Sequence, residues 1–344
     1  MPKVSVIMPI YNVEAFVGDA VCSVLRQSLD DFELLIIDDV SPDGSIEICE
    51  SFADPRIRIL RHRINRGLAG ARNTGIRHAS GDFLALLDSD DFWHSEKLAQ
   101  HVEHLDANPE IGVSFCRSAF VDADGVPTHC YQMPRLRDIS PGYYLCRNPI
   151  GNGSAPVIRR EVFEAIRFKN NLHGVEEVCY FDETLRRSED IECWIRIVLT
   201  TDWVVEGLPE ALTYYRLNAG GLSANLLEQL ESWEAVIDKT RRYAPEFVAV
   251  WERPARAYQL RYLARQAIRL RDGRMASRLL HRALRTDPGI LRHEPGRTLL
   301  TAAAAYLLWL TPDEIYLRCE QLAHNLVGSF QRRQIARDLR SQSA

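Results

Sequence analysis

The strongest constraint on this chain is an alternation. Through residues 4–116, short apolar runs take turns with stretches of helical periodicity. Val4–Met8, Leu34–Ile37, Ile57–Leu60, Phe83–Leu87 and Ile111–Cys116 predict five strands. Between them the spacing predicts helices over Phe16–Leu25, Ser45–Phe52, Leu68–Ala79 and Ser95–Ala107, with Ser45 and Ser95 as N-caps. Strands that are apolar on both faces have no side to turn to water. They call for a mostly parallel sheet flanked by helices on both faces, an α/β fold. A sheet of that kind receives ligands beyond the carboxyl ends of its strands.

Composition limits the rest. With 344 residues, 46% hydrophobic and 26% charged, the chain has the make-up of an ordinary globular protein, which excludes disorder and collagen-like repeats. The net charge of -5 offers no footprint for nucleic acid. That total conceals a division. Residues 241–344 hold 19 Arg, no Lys and 9 acidic residues, whereas the other 240 residues hold 23 basic and 38 acidic. A charge step of this kind marks a domain boundary. Residues 118–224 are irregular, with a helix predicted over Ser188–Thr200 and strands at Trp203–Glu206 and Ala211–Arg216. From Asn225 onward everything reads as helix, including one hairpin between Leu263 and Pro288. The eight scattered cysteines read as buried reduced thiols. The N-terminus reaches a polar turn too early for a signal-peptide core. The longest later apolar run, Thr298–Leu310, has 13 residues where a spanning helix needs roughly 20. The expected location is the cytoplasm, with peripheral attachment to a membrane left open.

Acidic residues gather where ligands are expected. Asp38-Asp39 follow the second strand and Asp88-Ser89-Asp90-Asp91 the fourth, with a Gly-containing turn at Asn65–Asn73 between them in sequence. Packed carboxylates repel, so a cation, an arginine or solvent must compensate. Asp-x-Asp at a strand end suits a hard divalent ion that keeps positions open for phosphate oxygens. By itself, however, the cluster reads first as a solvated acidic turn. No glycine stands in Pro9-Ile10-Tyr11-Asn12 after the first strand, which excludes a dinucleotide fingerprint, and the P-loop signature is absent. Glu189-Asp190 open a helix, where acidic side chains complement the dipole. His101 and His104 read as a packing or surface pair rather than a metal pair.

In this order and at these separations, VSVIMPIYN, LLIIDDVSPDGS, NRGLAGARNTGIRHASGDFLALLDSDD and SEDIECWIRI resemble the family 2 glycosyltransferases of the GT-A fold over about residues 3–220. The resemblance implies a bacterial, inverting hexosyltransferase that uses a nucleotide-diphosphate sugar, usually a UDP-sugar, with Mn2+ or Mg2+. Pro9, Tyr11, Asn12 and Glu14 would line the nucleotide pocket, and Asp39 would accept a hydrogen bond from the base. Arg72 would approach the diphosphate or hold the acidic motif, and Asp88 and Ser89 would meet the ribose or sugar. Asp90, with Asp88, would hold the metal. Asp190 would be the catalytic base, with Glu189 the neighbour able to exchange that role. The family's processive synthases carry Gln-x-x-Arg-Trp, which is missing here, so one sugar is expected per visit. The implied acceptor is a saccharide or polyprenyl-diphosphate-linked saccharide, as in exopolysaccharide assembly. Residues 1–224 would form the catalytic domain, with a nucleotide-binding half (1–117) and an acceptor-side half (118–224) in which Asn152, Ser154 and His173 are pocket candidates. Residues 225–344 would be a helical, Arg-rich extension.

Two rivals are weaker. A sugar-phosphate nucleotidyltransferase would place a Gly-rich basic loop where this chain has Tyr11-Asn12-Val13-Glu14, and a non-catalytic scaffold has no need of Asp88, Asp90 and Asp190. In the extension, Arg271, Arg274, Arg278, Arg282 and Arg285 form a basic helical stripe, and Ile315, Cys319, Leu322, Leu326 and Phe330 an apolar one. Such stripes suit an anionic membrane surface, or an internally packed helical domain with a solvated arginine face.

Overall fold

The computed structural model describes residues 1–217 and 225–342, so the boundary expected at residue 224 lies outside the described residues. The chain begins as the alternation dictates: β1 (Val4–Ile10), α1 (Val17–Leu25), β2 (Phe32–Asp38), α2 (Ser45–Glu50), β3 (Ile57–Arg61), α3 (Gly67–His78) and β4 (Phe83–Leu86). The four strands lie parallel in the order β3-β2-β1-β4. Every residue of β1 is buried because both faces are covered. Val4, Val6, Met8 and Ile10 share a core with Val17, Ala20 and Val24 of α1. On the opposite face, Gly75 of α3 lies against Ile7 and Ile37.

Beyond β4 the simple parallel plan gives way. After β5 (Phe92–Trp93) and α4 (Lys97–Ala107), β6 (Ile111–Val121) runs past the expected end at Cys116, and β7 (Pro127–Gln132) turns back on it. Then follow α5 (Pro141–Cys146), β8 (Val157–Arg159) and α6 (Arg160–Ile166). The three residues of β8 run antiparallel between β4 and β6, which are therefore not neighbours. A separate hairpin of β9 (Phe168–Asn170) and β10 (Glu177–Cys179) precedes α7 (Glu189–Thr200). The two short strands expected at 203–216 are one bulged strand, β11 (Val204–Arg216), parallel to β6 and paired at its far end with β5. The result is a mixed, mostly parallel sheet.

The two serine caps are not caps. Helix α2 starts at Ser45 with Gly44 before it, and α4 follows Glu96; neither has a side-chain cap bond. The Ser45 hydroxyl is instead spent on Asp43, at 2.6 Å, and accepts from the Val13 amide at 3.1 Å. His101 and His104 both point at the Ser114 hydroxyl, at 2.7 and 2.8 Å, so that pair packs inward. All eight cysteines are free; Cys49, Cys116, Cys179 and Cys193 are buried, while Cys319 is exposed.

The C-terminal helices are α8 (Leu226–Tyr243), α9 (Pro245–Arg269), α10 (Gly273–Thr286), α11 (Gly289–His293), α12 (Pro295–Leu310) and α13 (Asp313–Gln342). The chain divides into two compact units. One is the sheet unit, to which the chain from Phe330 onward also belongs; the other takes the helices up to Ser329 together with Ser140–Asn148. Within the helical unit, α9 and α10 form the expected hairpin. Ala267, Ala276 and Ala305 form its tight centre, since small side chains let helix axes approach.

Candidate active site

The acidic turn after β4 is wired from three directions. The Asp88 amide donates to the Ser154 hydroxyl at 3.0 Å, and that hydroxyl donates to Asp91 Oδ2 at 2.7 Å. The Arg216 amide donates to Asp91 Oδ1 at 2.9 Å, and the Arg216 guanidinium donates to the Asp90 carbonyl at 2.8 Å. Asp91 is 1% exposed. Burial, with the charges of Asp90 and Asp88 beside it, holds its carboxyl well above the usual range. Asp91 is thus the structural acid of the cluster, and Asp88 and Asp90, only half-buried, are the ones left facing outward.

Arg72 joins this turn to the start of α7. It lies in the middle of α3, 1% exposed, and donates to Asp88 Oδ1 at 2.6 Å and to Glu189 Oε1 at 2.8 Å. Burial alone would favour its neutral form, but the charges of Asp88, Glu189 and Asp190 outweigh that and raise its pKa. Glu189 is 4% exposed, and burial pushes its carboxyl up to about 7 against the pull of Arg72. Asp190 is also raised, by burial first, and is the more exposed of the two. Ser188, with φ 59, turns the chain so that both acids enter the first turn of α7, where the helix dipole favours negative charge. Arg72 thus bonds the first aspartate of the acidic motif.

The nucleotide-side residues are less uniform. Tyr11 is 52% exposed, whereas Pro9 is buried inside β1 opposite Ile37. The amides of Asn12 and Glu14 donate to Ser41 Oγ at 2.9 Å and Asp43 Oδ2 at 2.8 Å, and Glu14 accepts from the Gly44 amide at 3.0 Å. Burial would raise Asp43, but bonds from Ser41, Ser45 and the Glu14 amide bring it to about 2. Asp39 is buried and already accepts from His62 Nδ1 at 2.7 Å, the Arg66 amide at 2.7 Å and the Gly67 amide at 2.8 Å. It anchors the start of α3. Ser89 is 5% exposed within the acidic turn.

Several participants escaped sequence reasoning. Gly153 faces the Arg72–Asp88 pair so closely that an added Cβ would stand 2.1 Å from Arg72 Nη2 and 2.7 Å from Asp88 Oδ2. Asp91 looked like its neighbours, and Arg216 like the end of a strand. Asn152 accepts from the Ser154 amide at 3.1 Å and so holds the loop that carries Gly153. His173 bonds Glu183 at 2.8 Å, and Glu183 also receives Asn73 at 2.9 Å and Arg66 at 3.0 Å. His173 was a pocket candidate from sequence, but its partner Glu183 and the ties of Glu183 to Asn73 and Arg66 were not, because an acid in an irregular stretch gives too weak a signal.

Asp88 and Asp90 supply hard oxygen donors, while the space left by the missing side chain at Gly153 is taken by the Arg72 guanidinium beside Asp88 Oδ2. Among the described residues no group of three or more His, Cys, Asp or Glu side chains would enclose a metal. Asp88 and Asp90 therefore do not make a closed protein site, and a divalent ion held by them would need its remaining ligands from outside the chain.

The family description Glycosyl transferase family 2 matches residues 5–167. The chain is 32% identical over 239 residues to the uncharacterized glycosyltransferase EpsJ of Bacillus subtilis, covering 65% of this chain and 63% of that protein. It is 30% identical over 230 residues to the putative teichuronic acid biosynthesis glycosyltransferase TuaG of Bacillus subtilis, covering 65% of this chain and 82% of TuaG. Over 102 residues it is 43% identical to the Escherichia coli UDP-Glc:alpha-D-GlcNAc-diphosphoundecaprenol beta-1,3-glucosyltransferase WfgD, covering 30% and 40%. Among solved structures, the mannosyltransferase PcManGT of Pyrobaculum calidifontis, in complex with GDP-Man and Mn2+, superposes with a TM-score of 0.56 at 19% identity, covering 96% of this chain and 86% of that one. S. aureus TarS does so with a TM-score of 0.52 at 18% identity, covering 83% of this chain and 53% of TarS. The chain thus spans just under two thirds of EpsJ and about half of TarS. The structural likeness shows a GT-A-like fold, and the sequence relatives show that the chain is a member of glycosyl transferase family 2.

Proposed function

We propose that this protein moves one hexose, with inversion, from a UDP-sugar to a hydroxyl of a saccharide carried on polyprenyl diphosphate, at the cytoplasmic face of an anionic membrane. The observation that carries the reading is the Arg72 bridge, which binds the strand-end acid Asp88 and the helix-opening acid Glu189 into one charged unit. Asp190, in the first turn of α7 and more exposed than Glu189, is the base. Its carboxylate takes the proton of the acceptor hydroxyl as that oxygen bonds to the anomeric carbon, and the bond from that carbon to the nucleoside diphosphate breaks. A raised pKa suits the task, because a base is more effective when its pKa lies closer to the working pH. A divalent ion held by Asp88 and Asp90, Mn2+ or Mg2+, would supply positive charge against the departing diphosphate. Arg72, Ser154 and Arg216 fix the turn that presents these two carboxylates. Tyr11, Asn12 and Glu14 form the rim for the nucleotide, and Asp39 serves it by anchoring the loop before α3. Support for the donor and acceptor comes from relatives whose names specify UDP-Glc and a diphosphoundecaprenol acceptor.

A panel of nucleotide sugars tests this directly. Hydrolysis of a UDP-sugar that needs Mn2+ or Mg2+ and is accelerated by a lipid-linked saccharide is expected. Turnover that persists undiminished in excess chelator, or a preference for another nucleotide, contradicts the corresponding part.

A further inference from the structure

Helix α12 turns Thr298, Thr301 and Ala305 inward and leaves an apolar face in solvent. Leu299 is 60%, Leu300 55%, Trp309 47% and Leu310 68% exposed, with Leu307 beside them. Single exposed leucines are ordinary, but a contiguous group on one helix marks a surface that meets something apolar.

Its neighbour α10 does the reverse with charge. Ala276, Leu280 and Ala283 face inward, while Arg274, Arg278, Arg282 and Arg285 are exposed. Among the described residues, no acidic side chain is paired with any of these four. The acids of the neighbourhood are engaged elsewhere: Glu294 with Arg147 and Arg261, and Asp287 with the Gly289 amide.

The two faces adjoin. His281, on the arginine side of α10, bonds the Tyr306 hydroxyl of α12 at 2.5 Å, and their rings stand 5.9 Å apart. The first residue of α10, Gly273, meets the end of α12 so closely that a Cβ would lie 2.6 Å from the Trp309 amide nitrogen. Tyr306 and Trp309 are themselves 6.2 Å apart. Crossing from α10 to α12, one therefore passes a row of arginines, then Tyr306 and Trp309, then leucines. That is the sequence of side chains suited to lipid phosphates, to the headgroup boundary and to acyl chains.

We propose that the α10–α12 face docks on an anionic lipid bilayer, the arginines at the phosphates and the leucines in the acyl boundary. This deepens the membrane-side reading above and rests on it. Among the described residues no helix is long and apolar enough to cross a membrane, so α12 would lie in the interface. A second copy of the chain is a poorer occupant, because a symmetric contact would set the same arginine row against itself. A nucleic acid would leave the leucines in water.

Sedimentation of the full chain with vesicles tests it, using phosphatidylcholine alone or mixed with phosphatidylglycerol, at low and high salt. Binding to the mixed vesicles at low salt is expected, weakened about fivefold by Arg278→Gln and several hundredfold when all four arginines become Gln. Leu307→Ser with Leu310→Ser should weaken binding at both salt levels, and thermal melts of these variants should match the parent. No binding to mixed vesicles at low salt overturns the proposal. So does equal binding to neutral vesicles, binding retained by the quadruple variant, or a solution dimer that the leucine substitutions dissolve. Donor hydrolysis on the same samples separates the two readings: its absence in the parent chain counts against the enzyme assignment, whatever the vesicles show.

Discussion

In the sheet unit, Arg72, Arg196 and Arg216 are buried and each bonds to two or more groups of the chain, whereas Arg274, Arg278, Arg282 and Arg285 of α10 stand in solvent. The first set is defined by what surrounds it. A guanidinium taken out of water requires carboxylates or carbonyls, and those partners are in turn held in place by it. The second set is indifferent to the fold around it, since an exposed arginine loses little hydration. The same residue type thus marks an internal framework around Arg72, Arg196 and Arg216 and an outward face on α10.

The largest effect expected on the internal side is kinetic. Asp190→Asn should lower kcat by roughly 10²–10⁴-fold with donor KM little changed, measured by metal-dependent transfer; a variant near the parent rate would shift the role to Glu189. Next comes Arg72→Met, which strands Asp88 and Glu189 without their cation and should cost about 3–5 kcal/mol in urea unfolding. A loss below about 1 kcal/mol would mean that the bridge is dispensable. Gly153→Ala drives a methyl against Arg72 and Asp88, and overpacking of this kind costs about 1–3 kcal/mol. It should also weaken Mn2+-linked donor binding, as followed by titration.

A subtler test uses pH. Burial lifts Glu189 to about 7, from an unfolded value of 4.5, so between those values the folded chain keeps a proton that the unfolded chain has released. The contribution of this group to stability is greatest below the unfolded value and declines as pH rises through that window. Denaturation at both ends of the window should show the decline in the parent and a flatter profile in Glu189→Gln. The smallest effect belongs to the outward side: Arg278→Gln should change unfolding stability by no more than about 0.5 kcal/mol. A larger loss would show that α10 is held by that row after all.

How much of this was readable in the chain follows the same division between local and distant causes. The strands β1 to β4 and helices α1 to α4 announce themselves, because each is long enough to show its period. The three residues Val157–Arg159 carry no period, and their place between β4 and β6 is decided by partners remote in sequence. Ser45 has the chemistry of a cap, but Asp43 and Val13 compete for its hydroxyl. Nothing in Asp38-Asp39 tells that the second turns inward to hold the Arg66 and Gly67 amides. Asp91 differs from Asp90 only through Ser154 and Arg216, both brought from later strands and loops. The site residues were named by the motifs of a family; the wiring among them, from Arg72 to Glu189 and from Ser154 to Asp91, needed the fold.

The central claim is that Asp88 and Asp90 bind the donor through a metal while Asp190 acts only in the chemical step. Calorimetric titration of a UDP-sugar, with and without Mn2+, into the parent chain, Asp90→Asn and Asp190→Asn tests it most directly. The account predicts metal-linked binding in the parent and in Asp190→Asn, and its loss in Asp90→Asn. Binding that is indifferent to Mn2+, or equally tight in Asp90→Asn, contradicts it.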